Sequence, residues 1–180
     1  MLTITIPAFE CYDEENERFI NFSDTVLILE HSLLSLAAWE SKWHKPFIGN
    51  NNKTIEESLD YIKCMTLNRD IIPELAWTRI TDDMMQQVID YIEEPMTATT
   101  FSNMGKRGSR EIITNEIIYY WMFTLGIAKE CEQWHLNRLM TLIRVCSEKN
   151  SPKKKMSKNE IYAQNKALNE SRRRLLHSKG

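Results

Sequence analysis

The chain has 180 residues, of which 42% are hydrophobic and 27% charged, and a formal net charge of −2. That balance suits a folded protein and argues against wholesale disorder or a fibrous repeat, while the length supports one domain with extensions. Five Gly and five Pro leave few places for the many tight turns of an all-β protein, so helix is expected to dominate.

In chain order, apolar residues alternate with polar ones in Leu2-Thr3-Ile4-Thr5-Ile6. Phe19-Ile20 and Val26-Leu27-Ile28-Leu29 add strand-like runs around a turn at Asp13-Glu14-Glu15-Asn16. Together they predict a small antiparallel sheet or hairpin over about residues 1–30. Leu29, Leu33, Leu36, Trp39 or Glu40, and Trp43 then recur at helical spacing, with Ser32 as cap and Pro46 as stop, for a helix over about 32–45. Thr54 and Glu57 form a capping box opening a helix with Ile55, Leu59, Ile62 and Met65 as its buried stripe. Pro73 starts a short helix through Trp77, and Thr81-Asp82-Asp83 caps another carrying Met85, Val88, Ile89 and Ile92 as far as Pro95.

Residues 95–109 read as irregular, with Gly105-Lys106-Arg107-Gly108-Ser109 as a basic loop tip. From Arg110 to Leu125 apolar residues cover more than half the circumference, which predicts a central, buried helix broken at Gly126. Ile127, Cys131, Trp134, Leu139, Leu142, Ile143 and Cys146 suggest a second long helix to about Lys149, antiparallel to the first. At Pro152 the composition changes. Residues 151–180 hold nine Lys or Arg against two Glu, a net of +7, which leaves −9 on residues 1–150. The fold expected is mostly α: an acidic helical body, 1–150, with N-terminal strands, and a basic C-terminal tail, 151–180, helical over 158–174 from the Ser157 and Glu160 capping box.

No apolar run approaches the roughly 20 residues of a membrane span, and the opening residues do not read as a secretory leader. Cys11, Cys64, Cys131 and Cys146 form no CxxC pair and read as free thiols of a reducing compartment. Cys131 and His135 are four residues apart and could supply two metal ligands, but two ligands are not a site, so a core thiol and a hydrogen-bonded histidine are expected, with no metal and no cofactor. Glu40 with His44, and Glu111 with Glu116, could be drawn as acid–base pairs, yet helices supply such pairs by chance. GxSxG, GxxxxGK[ST], HExxH and GxGxxG are all missing, so no catalytic residue is assigned and the chain is read as a non-enzyme.

Binding is the better expectation. Trp39 and Trp43 are one helical turn apart and would anchor a partner if part of their stripe stays exposed, although core is the commoner fate of such a stripe. The tail offers Lys153, Lys154, Lys155, Arg172, Arg173 and Arg174. These could contact phosphates, but Tyr162 is the sole aromatic for stacking and the acidic body repels DNA, so an acidic protein surface suits them better.

Several blocks carry a family resemblance: Leu29-Glu30-His31-Ser32-Leu33, Trp39-Glu40-Ser41-Lys42-Trp43-His44-Lys45-Pro46-Phe47, Pro95-Met96-Thr97-Ala98-Thr99, Arg110-Glu111-Ile112-Ile113-Thr114, Tyr119-Tyr120-Trp121-Met122, Trp134-His135-Leu136-Asn137-Arg138-Leu139, and the ending from Lys154. In these the chain resembles tail assembly chaperones of long-tailed bacteriophages. The resemblance implies a protein that binds the tape measure protein and tail tube subunits in the host cytoplasm and is missing from the finished virion. It transfers no catalytic residue, and self-association is compatible with it. The competing expectations are a structural head–tail or tail-completion component, and a nucleic-acid-binding protein acting through residues 151–180.

Overall fold

Alternation in the first residues becomes a sheet because one side of it can be buried. The computed structural model describes residues 1–14, 17–50, 52–101, 112–151 and 158–176. Strand β1 (Leu2–Ile6) pairs antiparallel with β4 (Thr25–Leu29), Leu2 opposite Leu29 and Ile6 opposite Thr25. Ile4, Ile6, Leu27 and Leu29 enter the core, while Thr3, Thr5, Val26 and Ile28 face out. Between these strands β2 (Phe9–Asp13) and β3 (Arg18–Phe22) pair as a second two-stranded sheet. Its cross-strand partners are aromatic: Phe9 stacks on Phe22 with centroids 4.7 Å apart, and Tyr12 meets Phe19 at 5.0 Å. Strand β2 was not among the strands expected, and of the expected turn residues Glu15 and Asn16 lie outside the described residues.

Helix α1 (Leu33–Trp43) starts at Ser32, whose hydroxyl accepts from the Ser35 N–H while Ser35 Oγ accepts from the Ser32 N–H. It ends at His44, which takes the left-handed conformation at φ 52°. Helix α2 (Ile55–Met65) opens with the Thr54–Glu57 box, as its sequence predicts. Its buried face is Glu57, Asp60, Tyr61, Ile62 and Met65, so Ile55, expected in the core, is exposed instead. After α2 the chain covers the free edge of β4: Glu30 N–H donates to the Met65 carbonyl, Leu67 N–H to the Ile28 carbonyl, and the Asn68 amide bonds both Ile28 and Val26. An uncovered edge would offer a template for another strand. A 3₁₀ helix at Glu74–Arg79 follows Pro73, and α3 (Asp82–Glu93) is capped by Thr81.

Helix α4 (Asn115–Thr124) stops in a Schellman motif. Gly126 at φ 67° lets its N–H reach the Phe123 carbonyl and the Ile127 N–H reach that of Met122. Ile118 and Met122 are buried, Ile117 is half-buried, and Tyr120 and Phe123 stand in solvent, so the helix is covered on one side and not central as expected. The expected long helix from Ile127 is broken as well. Lys129–Gln133 is a 3₁₀ turn, and α5 (Leu136–Asn150) begins only after His135. The break has a cause: residues 135 and 136 bond elsewhere, His135 bridging Ser32 and Leu136 N–H donating to the His31 carbonyl at 2.7 Å. Helices α4 and α5 share one buried cluster, Ile118 and Met122 with Leu136, Leu139 and Ile143, while the most extensive helix packing is α1 on α2, with α4 also against α1.

Among the described residues, two buried clusters result. One holds β1, β4, α2, α3, Trp39 and Trp77; the other holds Leu33, Leu36, Ile118, Met122, Cys131, Leu136, Leu139 and Ile143. Helix α1 contributes to both. By contact the chain divides into two units, Met1–Ser147 and Glu148–Gly180, and the second contains α6 (Lys158–Leu176). The protein is mostly α with antiparallel strands at its N-terminal end. No described helix is long and apolar enough to cross a membrane.

Candidate functional site

Titratable side chains gather in two places within the first unit, and both are spent on holding it together. The first is at the junction of β4 and α1. His31 Nδ1 lies 2.6 Å from the Tyr61 hydroxyl, and its ring meets that of His135 edge-on at 5.1 Å. Ser35 Oγ–H donates to the Ser32 carbonyl, and the Tyr61 hydroxyl also lies 3.4 Å from Ser35 Oγ. Burial, with His135 beside it, pushes the His31 imidazole down to about 3, so it is neutral. His135 is also lowered by burial. Its Nδ1 accepts the Asn137 N–H and its Nε2–H donates to the Tyr91 carbonyl at 3.0 Å. The Tyr91 hydroxyl in turn donates to Glu30 at 2.8 Å. His31, Tyr61, Tyr91 and His135 are all buried, so no substrate reaches the pair. It stitches four segments together.

The second place is the Trp39–Phe47 block. Trp39 is fully buried and its indole N–H donates to the Glu57 carbonyl at 2.8 Å. Glu40 accepts from the N–H of Phe47 at 2.7 Å and from both the backbone and the side-chain N–H of Asn115 at 2.8 Å. Thr114, the N-cap of α4, makes no side-chain cap bond, so Glu40 serves that helix from 75 residues away. Lys42 and the Trp43 indole both bond Asp60. Lys45 bonds Glu57 at 2.5 Å, and that contact, with the Thr54 N–H, holds the Glu57 carboxyl below its ordinary value. Phe47 stacks on Tyr61 at 3.9 Å. Of the Glu40 and His44 pairing drawn from the sequence, the carboxylate is taken up by these bonds and His44 is the exposed C-cap of α1. Glu111 lies outside the described residues.

Of the residues expected to bind a partner, Trp39 offers no surface. Trp43 is half-buried and lines an open groove of about 660 Å³ with Ile55, Leu59, Leu75 and Trp77, rimmed by the Lys42–Asp60 and Lys63–Glu74 pairs. Sequence reasoning passed over a third surface, the outer side of α4, where Tyr120 and Phe123 are exposed. Their spacing from Glu116 and Thr124 marks that side as polar-flanked, and this was the available signal. Cys131 and His135 do not share a helix face, since one sits in the 3₁₀ turn and the other beyond it. All four cysteines are free thiols, and among the described residues no three His, Cys, Asp or Glu side chains are placed to hold a metal.

The second unit is different in kind. Lys153, Lys154 and Lys155 lie outside the described residues. Arg172, Arg173 and Arg174 sit on α6, where every residue from Ile161 to Leu176 is exposed, including Ile161, Tyr162, Leu168, Leu175 and Leu176. A 19-residue helix of this composition has little to hold it in water except contact with something else. No family model, curated protein or solved structure matches the chain.

Proposed function

We propose that this chain is a non-catalytic assembly chaperone that acts by binding other proteins, in the manner of the tail assembly chaperones of long-tailed phages that its sequence resembles. The observation that carries the reading is α6: a long basic helix whose apolar side chains are exposed, on a chain whose first unit commits its buried histidines, His31 and His135, and the carboxylates of Glu40, Glu57 and Asp60 to internal bonds. Apolar side chains left in water on an ordered helix favour a protein partner over a solvated role. The partners are the tape measure protein and tail tube subunits, met in the host cytoplasm during tail assembly and released before the particle is complete.

Co-expression of the full chain with the tail proteins encoded beside it tests this, followed by affinity capture and by mass spectrometry of purified particles. The expected result is capture of a tail protein and no copy in the particle. Presence in the particle at the level of a structural subunit would replace the chaperone with a virion component.

A further inference from the structure

Along α6, Ile161, Leu168 and Leu175 are seven residues apart. Seven residues fall about 20° short of two full turns, so the three side chains run down one side of the helix as a slowly drifting seam. Gln164 and Ser171 occupy the alternate seam positions, and Arg172 and Arg174 fall on either side of it, where a paired helix would meet them. Lys166, Glu170 and Arg173 lie away from the seam. From Ile161 to Leu176 the charge is one Glu against Lys166 and three Arg, a net of +3.

We infer that α6 is a docking helix whose occupant is an amphipathic helix of a partner protein, apolar along its own seam and acidic at the flanking positions. The inference rests on the protein-binding reading above and names what that reading leaves open. Three features select this occupant. A heptad seam is satisfied by another helix, because successive leucines enter successive holes between the partner's side chains. A phosphate backbone would pair the arginines but leave Ile161, Leu168 and Leu175 in water. A bilayer surface calls for a wide unbroken apolar face, whereas here Asn165, Asn169 and Arg172 lie between the seam and the remaining exposed apolar residues, Tyr162 and Leu176. From Ile161 onward the flanking positions hold Asn165, Ala167, Arg172 and Arg174 and no carboxylate, so two identical α6 helices would bring only positive charge to their contact there, which disfavours self-pairing and favours Glu or Asp opposite. One apolar residue per heptad with polar Gln164 and Ser171 between also makes the contact weak enough to be released, as a transient partner requires.

The test uses the full chain and a synthetic peptide of about three heptads with Leu at both seam positions and Glu at both flanking positions. Three controls accompany it: a scrambled peptide of the same composition, a peptide with Lys at the flanking positions, and a single-stranded oligonucleotide. Binding is read by fluorescence anisotropy and helix gain by circular dichroism. The acidic heptad peptide should bind with a rise in helicity, and the scrambled peptide should bind about tenfold more weakly or not at all. Leu168→Asn with Leu175→Asn, which leaves the charge unchanged, should cost about tenfold or more. Arg172→Glu with Arg174→Glu should lose the acidic peptide and gain the Lys peptide, an exchange that unfolding cannot produce. Equal binding of the scrambled peptide, indifference to the leucine changes, or preference for the oligonucleotide would overturn the inference. If the heptad peptide fails while the chain still captures tail proteins, the docking helix falls and the chaperone reading stands. If the peptide binds as described and no tail protein is captured, the docking helix stands and the chaperone reading falls.

Discussion

The Trp39–Phe47 block and helix α6 both looked like binding elements in the sequence, one for its tryptophans and one for its arginines. In the block, Trp39, Glu40, Lys42, Trp43, Lys45 and Phe47 each have a partner within the first unit. In α6 the apolar residues are exposed, and the arginines stand among them. A distinctive motif can thus be distinctive because it is a fastening. What the block specifies is how α1 seats on α2 and α4. Residues that must match several partners at once tolerate few substitutes, whereas a surface seam is defined only by spacing and charge.

Perturbing the two regions should therefore give opposite results. The largest effect is expected from Trp39→Ala, which removes a fully buried indole and its bond to the Glu57 carbonyl; thermal or urea unfolding should show a loss of about 3 to 5 kcal/mol. Glu40→Ala should cost about 1 to 3 kcal/mol by stranding the N–H groups of Phe47 and Asn115, with amide exchange rising first at the start of α4. The histidine pair adds a pH signature to the first unit. Both imidazoles are held low by burial, so unfolding takes up protons in acid. Their contribution is present in full above about 6.5, the ordinary value, and is lost as pH falls toward 3, where His31 itself titrates. Chemical denaturation across that window should show stability falling by up to roughly 1.4 kcal/mol per pH unit for each imidazole, and His31→Gln should flatten the slope. The smallest effect is expected from Arg172→Ala with Arg174→Ala, within about 0.5 kcal/mol of the parent stability, while partner capture drops. A stability loss there as large as that of Glu40→Ala would erase the distinction between the two regions.

What the sequence made legible was local. Ser32, Thr54 with Glu57, and Thr81 cap helices because a cap needs only neighbours three residues away. The outward Thr3 and Thr5 identified β1 for the same reason. The failures are long-range. Ile127, Cys131, Trp134 and Leu139 have helical period, yet a helix through them would forfeit the Leu136 bond to His31, about a hundred residues away in the chain. Ile55 fits the apolar stripe of α2, but Glu57 and Asp60 took the buried side because Lys45, Lys42 and Trp43 meet them there. Buried carboxylates cannot be read from a pattern that scores them as polar. The candidate site divides the same way: the arginines of α6 were visible as charge, while its Ile161, Leu168 and Leu175 seam passed as a helix with few apolar residues.

Hydrogen exchange by mass spectrometry on the full chain, alone and with a captured tail protein, tests the division between the two regions most directly. Amides of residues 158–176 should gain protection on binding, while those of residues 33–65 stay as they are. Protection gained around Trp43 and Trp77 with α6 unchanged would place the binding surface on the first unit and contradict the role given to the helix.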